Sequence, residues 1–148
     1  MWSDTLLLVE KAHLLRLLLW GGASVLIGTL LILLASTRAS RSALLTQFGI
    51  QSAGWGVVEV AIAIVLWRQV APRDAAAASR LNDLLWLNCG LDVGYVAVGI
   101  TLIVAGWILG RRLGAVGAGV AVVIQGFALL LLDAVVLNNI MLSARNPI

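Results

Sequence analysis

Charge, cysteine and histidine are scarce in this sequence, and each scarcity excludes a class of protein. Asp, Glu, Lys and Arg make up 11% of the 148 residues, whereas soluble domains usually carry about a quarter. The single cysteine, Cys89, cannot form an intrachain disulfide. With one His and one Cys there is no metal-ligand spacing, and no Walker loop or Gly-Xaa-Ser-Xaa-Gly elbow occurs. We therefore predict no metal, cofactor or nucleotide site.

Apolar residues dominate what remains. They form 61% of the chain, and the mean hydropathy is +1.05, so the lipid bilayer is the predicted environment. A helix needs about 20 apolar residues to cross the hydrocarbon, and four such stretches fill nearly the whole chain. They cover about residues 14–36, 43–67, 84–109 and 113–138. The sequence predicts one domain, residues 1–148, folded as an all-α, four-helix transmembrane bundle.

The connections indicate how the helices pair. Residues 37–42 and 110–112 are short and basic, which predicts two tight antiparallel hairpins. The middle connection contains Pro72 and Asp74, and Asp74 is a predicted cap for a third helix that begins outside the hydrocarbon. Reporter fusions at residues 40, 74 and 112 should therefore alternate between the two sides of the membrane.

Basic residues are scattered at the segment ends rather than clustered, so the net charge of +3 does not indicate nucleic-acid binding. Asp4 and Glu10 lie in the wrong region for a signal peptide, so we expect the first segment to remain as a helix. Four crossings place both termini on one side. The positive-inside rule favours cytoplasmic termini in a bacterial cytoplasmic membrane: their side holds Lys11, Arg16, Arg68, Arg73, Arg80 and Arg145, against Arg38, Arg41, Arg111 and Arg112.

The second and fourth segments share a polar pattern. Gln51 precedes Glu59 by eight positions, and Gln125 precedes Asp133 by the same interval. An offset of 74 residues superimposes both pairs and brings the basic turns close to register. This suggests two parallel repeats of a helical hairpin; chance similarity between apolar segments is the alternative.

Three acids, Glu59, Asp92 and Asp133, lie inside apolar segments. An ionised aspartate at a helix centre costs roughly 2.5–3.5 kcal/mol, so these side chains should face the bundle interior. All three are expected in the half of the membrane nearer the termini, with Asp92 at the centre of the site. Glu59 and Asp92 fall at similar depth, where both cannot ionise cheaply, so one should retain its proton.

Other polar residues extend this candidate site. Asn88, Asp92 and Tyr95 share one stripe of the third segment, and nearby glycines should let a neighbouring helix approach closely: Gly90, Gly94 and Gly99. His13 and Arg16 are candidate ion-pair partners for the acids, although Arg16 could equally extend into the headgroups. Gln51 and Gln125 are either site residues or hydrogen-bonded links between helices. Four of the tryptophans are expected near the membrane interface: Trp20, Trp67, Trp86 and Trp107.

Two functions from different classes fit this pattern. The acidic cluster favours a site that binds or moves a proton, a cation or a small cationic ligand. The alternative is a non-catalytic accessory or scaffold subunit, with the polar residues as links between helices and a second copy or membrane protein as partner. An enzyme is less favoured, because the acids have no nucleophile or metal cluster beside them.

Three stretches resemble a family of uncharacterised four-helix bacterial membrane proteins: residues 47–56, 85–95 and 125–133. The resemblance covers segments two to four and leaves segment one without a signature. It implies the four-helix architecture and a shared polar pattern. It implies no substrate.

Overall fold

The computed structural model describes residues 2–37 and 42–145, and within these it contains four long helices. They are α1 (Trp2–Ala35), α2 (Ala43–Trp67), α3 (Ala75–Ile108) and α4 (Leu113–Arg145). Each is long and apolar enough to cross a membrane. The predicted all-α, four-helix bundle is confirmed. Helices α1, α3 and α4 extend beyond the predicted apolar segments, while Arg38 and Arg41 lie outside the described residues.

Local side chains define where the helices begin and how they connect. Ser42 caps α2, and Asp74 caps α3 by accepting a 2.7 Å hydrogen bond from the Ala77 amide, as predicted. The turn between α3 and α4 uses Gly110 at φ 92° and Arg111 at φ 53°. Glycine adopts that conformation without steric cost, which allows the tight reversal.

The linker between α2 and α3 is fixed to α1 by an ion pair. The Arg73 guanidinium donates two hydrogen bonds to the Glu10 carboxylate, one of them 2.9 Å from Nε to Oε2. This hydrogen bonding raises the pKa of Arg73. The pair ties the linker to the first third of α1. The N-terminal half of α1, the end of α2 and the beginning of α3 therefore lie at the same end of the bundle.

Glycines let α1 and α2 approach closely. A Cβ atom at Gly49 would lie 2.6 Å from the Gly28 carbonyl oxygen, and one at Gly56 would lie 2.5 Å from the Gly21 carbonyl oxygen. Real Cβ atoms do not come this close to backbone, so the helix spacing requires glycine.

The glycine contacts on α3 match the prediction only in part. Gly99 meets α4, because a Cβ there would lie 2.8 Å from the Gly119 carbonyl oxygen. Gly90 and Gly94 were expected to admit a helix too, but no atom lies within 4 Å of the Cβ position at either residue. Both face outward, so no helix of the described bundle approaches them.

The α3–α4 hairpin repeats the contacts of the α1–α2 hairpin. Gly49 meets Gly28 and Ile32, while Gly119 meets Gly99 and Ile103 in the same way. The equivalent positions are 71 residues apart on the first helix of each hairpin and 70 apart on the second. The structure therefore supports two parallel hairpin repeats at this offset and not at 74, so Glu59 corresponds to Leu129 and Asp133 to Ala63.

The contacts between the hairpins break this symmetry. Ser24 of α1 meets Gln125 of α4, and the equivalent pair, Tyr95 of α3 and Trp55 of α2, also meets. The side chains of Ser24 and Gln125 together occupy less space than the two aromatic rings, and α1 and α4 pack closely there. The two aromatic rings, with centroids 5.0 Å apart, occupy more space, and no Cα atom of α2 lies within 8 Å of α3 in the described residues. The bulky pair thus leaves a gap between α2 and α3.

Candidate functional site

A cavity of about 210 Å³ lies behind this gap. All four helices line it, through the N-terminal half of α1, the middle of α3 and the C-terminal halves of α2 and α4. It therefore lies in the end of the bundle that holds the Glu10–Arg73 pair. The volume equals that of about seven water molecules at about 30 Å³ each.

Each helix contributes one acidic or histidine side chain to this cavity. These are His13 from α1, Glu59 from α2, Asp92 from α3 and Asp133 from α4. The three acids are 2%, 4% and 6% exposed, which confirms that they face the bundle interior. Since none of the described residues that line the cavity is Lys or Arg, its charge is dominated by acids.

Glu59 is the least satisfied member of this group. Its backbone packs against α1 at Gly21, where a Cβ would lie 3.0 Å from the Glu59 Cβ, so the absent side chain of Gly21 makes room for the acid. Both Glu59 carboxylate oxygens are buried without a hydrogen-bond partner in the described structure. One oxygen of Asp92, Oδ2, is in the same condition. Buried carboxylates without partners are costly, and a proton, a cation or water in the cavity would lower that cost.

Asp133, in contrast, has protein partners. Its Oδ1 lies 3.3 Å from Nε2 of His13, and the Asn88 side chain lies beside the same carboxyl group. Arg16, the other predicted cationic partner, is exposed and forms no ion pair with a described acid. One acid of the three is therefore paired inside the cavity.

Aromatic and aliphatic side chains form the rest of the wall. Trp55 contacts Tyr95 edge-on at an interplanar angle of 65°, and both rings line the cavity. Towards the gap between α2 and α3, the wall consists of exposed or half-exposed apolar side chains: Val58, Ile62, Leu66 and Leu91. The cavity is polar at its inner end and apolar at its opening.

Gln51 and Gln125, the two glutamines of the predicted site, do not line the cavity. Gln125 is buried between α1 and α4, where it accepts a 2.6 Å hydrogen bond from Trp20 and donates a 2.9 Å bond to Ser24. It acts there as a link between helices. Gln51 is half-buried on α2. Trp20 was expected toward a segment end at the membrane interface; the structure places it near the middle of α1, with its ring bonded to Gln125 of α4.

The structure thus brings most of the predicted site residues to one cavity: Glu59, Asp92, Asp133, Asn88, Tyr95 and His13. Trp55 was not among them, although its position far from either end of its segment was a signal, since interfacial tryptophans lie near helix ends. The aliphatic wall could not be found from the sequence, because nothing distinguishes Ile62 from apolar side chains that face lipid.

Comparison with known families identifies the chain. Residues 16–134 match the model of a family of unknown function, DUF6992, and the chain belongs to that family. No curated protein and no solved structure matches it. The assignment agrees with the resemblance to an uncharacterised family and adds no activity.

Proposed function

We propose that this member of the DUF6992 family is a membrane protein that binds a proton or a small cation in the cavity between its four helices. One observation carries the proposal. Glu59 is 2% exposed, faces the cavity, and has no hydrogen-bond partner for either carboxylate oxygen among the described residues. A carboxyl group in that position needs a positive charge or a proton of its own.

A purely structural role accounts less well for the acids. Gln125 illustrates a structural link, because both ends of its amide group are bonded to side chains of α1. Glu59 and Asp92 instead keep three oxygens without partners beside an open space. Structural links need no ionisable group, and an ionisable one adds a desolvation cost. A binding role explains why ionisable groups are present here despite their desolvation cost.

The second candidate is an accessory or scaffold subunit, and one observation favours it. Gly90 and Gly94 lie one helical turn apart on the outer face of α3, with open space above both. Small residues at this spacing let membrane helices pack closely. In this alternative a second copy or another membrane helix would cover that face, and the acids would have no ligand.

The proposed location is a bacterial cytoplasmic membrane with both termini in the cytoplasm. The cavity would then open in the cytoplasmic half of the bilayer, because it lies in the end of the bundle that holds the Glu10–Arg73 pair. The support is the excess of basic residues on the side of the termini. Reporter fusions at residues 40, 74 and 112 test it.

The test of function compares wild type with Glu59→Gln in detergent, using Asp83→Asn as a matched control at an exposed acid of α3. Two quantities are measured: the protons taken up between about pH 8 and about pH 6, a range in which carboxyl groups in water stay ionised, and the binding of radiolabelled tetramethylammonium. We expect Glu59→Gln to take up one proton fewer than wild type or to lose tetramethylammonium binding. The control should retain both. If Glu59→Gln matches wild type in both measurements while remaining helical, Glu59 binds neither species and the accessory-subunit alternative is preferred.

A further inference from the structure

We infer that the ligand of this cavity is a monovalent organic cation with an apolar body, and that it enters sideways between α2 and α3. The inference rests on the proposed function and specifies its substrate class. The ammonium group would lie at Glu59 and Asp92, and the apolar body would lie against Trp55 and Ile62.

The arrangement of donors argues against a metal ion. Among the described residues, no three His, Cys, Asp or Glu side chains are grouped closely enough to hold one. Asp133 is already paired with His13, which leaves Glu59 and Asp92 as the acids with unpartnered oxygens. Two buried carboxyl groups that face the same cavity cannot both ionise cheaply, so they suit a ligand with a single positive charge.

The wall of the cavity argues for an organic body on that charge. Trp55 and Tyr95 line the cavity, and aromatic rings attract ammonium groups when water is excluded. The remaining wall is largely aliphatic. A proton alone would need none of this space, and a volume of about 210 Å³, below the roughly 300–1,000 Å³ of pockets for drug-sized ligands, limits an organic ligand to a small molecule.

The gap between α2 and α3 supplies the route. No Cα atom of α2 lies within 8 Å of one of α3 in the described residues, whereas α1 and α4 are in contact on the opposite side of the bundle. The side chains at the gap are apolar and 42–51% exposed: Ile62, Leu66 and Leu91. In a membrane this opening faces lipid chains, so it admits a molecule that already partitions into the bilayer.

A zwitterionic lipid headgroup is the other source of an ammonium group at this depth. Its phosphodiester would bring a negative charge to a cavity that the described residues line with three acids and without Lys or Arg. Charge complementarity therefore favours a free cation over a lipid.

The experiment compares three ligands of related shape by titration into the detergent-purified protein. Benzyltrimethylammonium has charge and apolar body, tetramethylammonium has the charge alone, and neopentylbenzene is the uncharged isostere of the first. We expect benzyltrimethylammonium to bind at least about tenfold more tightly than tetramethylammonium, and neopentylbenzene not to displace it. Equal affinities of the two cations would overturn the inference and leave the proposed function intact. If neither cation binds but Glu59 still takes up its proton, the inference alone fails; without that proton uptake, both fail.

Matched variants on α2 test where the apolar body lies. Ile62 and Ile64 are 45% and 44% exposed, but Ile62 lines the cavity and Ile64 does not. We expect Ile62→Ala to weaken benzyltrimethylammonium binding about three- to tenfold, or about 0.7–1.4 kcal/mol, because one or two methylene groups lose contact with the ligand. Ile64→Ala should leave it unchanged. Equal effects of the two variants would refute the position of the apolar body at Ile62. Displacement of benzyltrimethylammonium by added phosphatidylcholine would refute the conclusion that the ligand is a free cation and not a lipid headgroup.

Discussion

Substituting alanine for single glycines tests the helix packing that shapes the cavity. In Gly28→Ala the new Cβ would lie 2.6 Å from both the Ala53 amide nitrogen and the Gly49 carbonyl oxygen. Ordinary contacts begin near 3.4 Å, so α1 and α2 must separate by about 0.8 Å, the difference between 3.4 and 2.6 Å. Neither obstacle is a flexible side chain, and overpacking of this kind typically costs about 1–3 kcal/mol.

The matched control is Gly90→Ala, because the Cβ position of Gly90 faces open space. Alanine gains about 0.5–1 kcal/mol over glycine within a helix, and both variants share that gain. The free energies of unfolding of the two variants should therefore differ by about 1–3 kcal/mol. Far-UV circular dichroism during SDS-induced unfolding in mixed micelles measures this difference.

The repeat adds a second, independent comparison. Gly99 is equivalent to Gly28 and meets backbone atoms of Gly119 and Val123 at a similar distance. Gly99→Ala should therefore lose about as much stability as Gly28→Ala. If Gly28→Ala and Gly90→Ala unfold at the same SDS concentration, the close approach of α1 and α2 is refuted. If Gly99→Ala alone is neutral, the equivalence of the two hairpins is refuted.

Three further predictions concern single features of the bundle. Trp55→Gln combined with Tyr95→Ser copies the α1–α4 contact onto α2 and α3. Spin labels on α2 and α3 should then lie about 2 Å closer together, which is the width of the usual range of interhelical distances. An unchanged distance would contradict the explanation that the two aromatic rings hold these helices apart. Gln125→Leu should lower the free energy of unfolding in SDS by about 1 kcal/mol, because two hydrogen bonds disappear, whereas Gln51→Leu should leave it almost unchanged. Equal losses would refute the role of Gln125 as a link between α1 and α4. Gly110→Ala should also lose about 1 kcal/mol, because alanine is strained at φ 92°, and unchanged stability would show that the turn adapts.

The architecture was predictable because it depends on strong and local signals. Helix length and hydropathy indicate each crossing, and Asp74 marks the beginning of α3 by capping chemistry alone. The apolar segments are shorter than α1, α3 and α4, because hydropathy does not mark the turns that continue a helix beyond its apolar stretch. By hydropathy Trp20 lies toward the end of a segment, whereas in the structure it lies near the middle of α1.

The repeat was predictable in kind but not in register. The shared polar pairs suggested an offset of 74 residues, whereas helix packing follows the small residues at 70 and 71. Polar residues drew attention because they are rare in these segments. The glycines determine which atoms touch, and their role becomes visible only when both helices are present.

The acids of the site were predictable, whereas their individual environments were not. Burial of Glu59, Asp92 and Asp133 follows from the cost of charge in lipid, and the structure shows it. Which acid lacks a partner depends on tertiary geometry: His13 reaches Asp133, and Glu59 faces open space beside Gly21. The sequence favoured Asp92 as the central acid, while Glu59 has both oxygens unpartnered.

The most direct measurement of the proposed function uses the fact that the chain has two glutamates, Glu10 and Glu59. Protein labelled with ¹³C-glutamate and reconstituted in liposomes should give two side-chain carboxyl signals in solid-state NMR, assigned with Glu59→Gln. We predict that the Glu59 signal moves between about pH 8 and about pH 6, where carboxyl groups in water stay ionised, or when benzyltrimethylammonium is added, while the Glu10 signal, bonded to Arg73, does not move with the ligand. A Glu59 signal that responds to neither would contradict the proposal that this carboxyl group binds a proton or a cation.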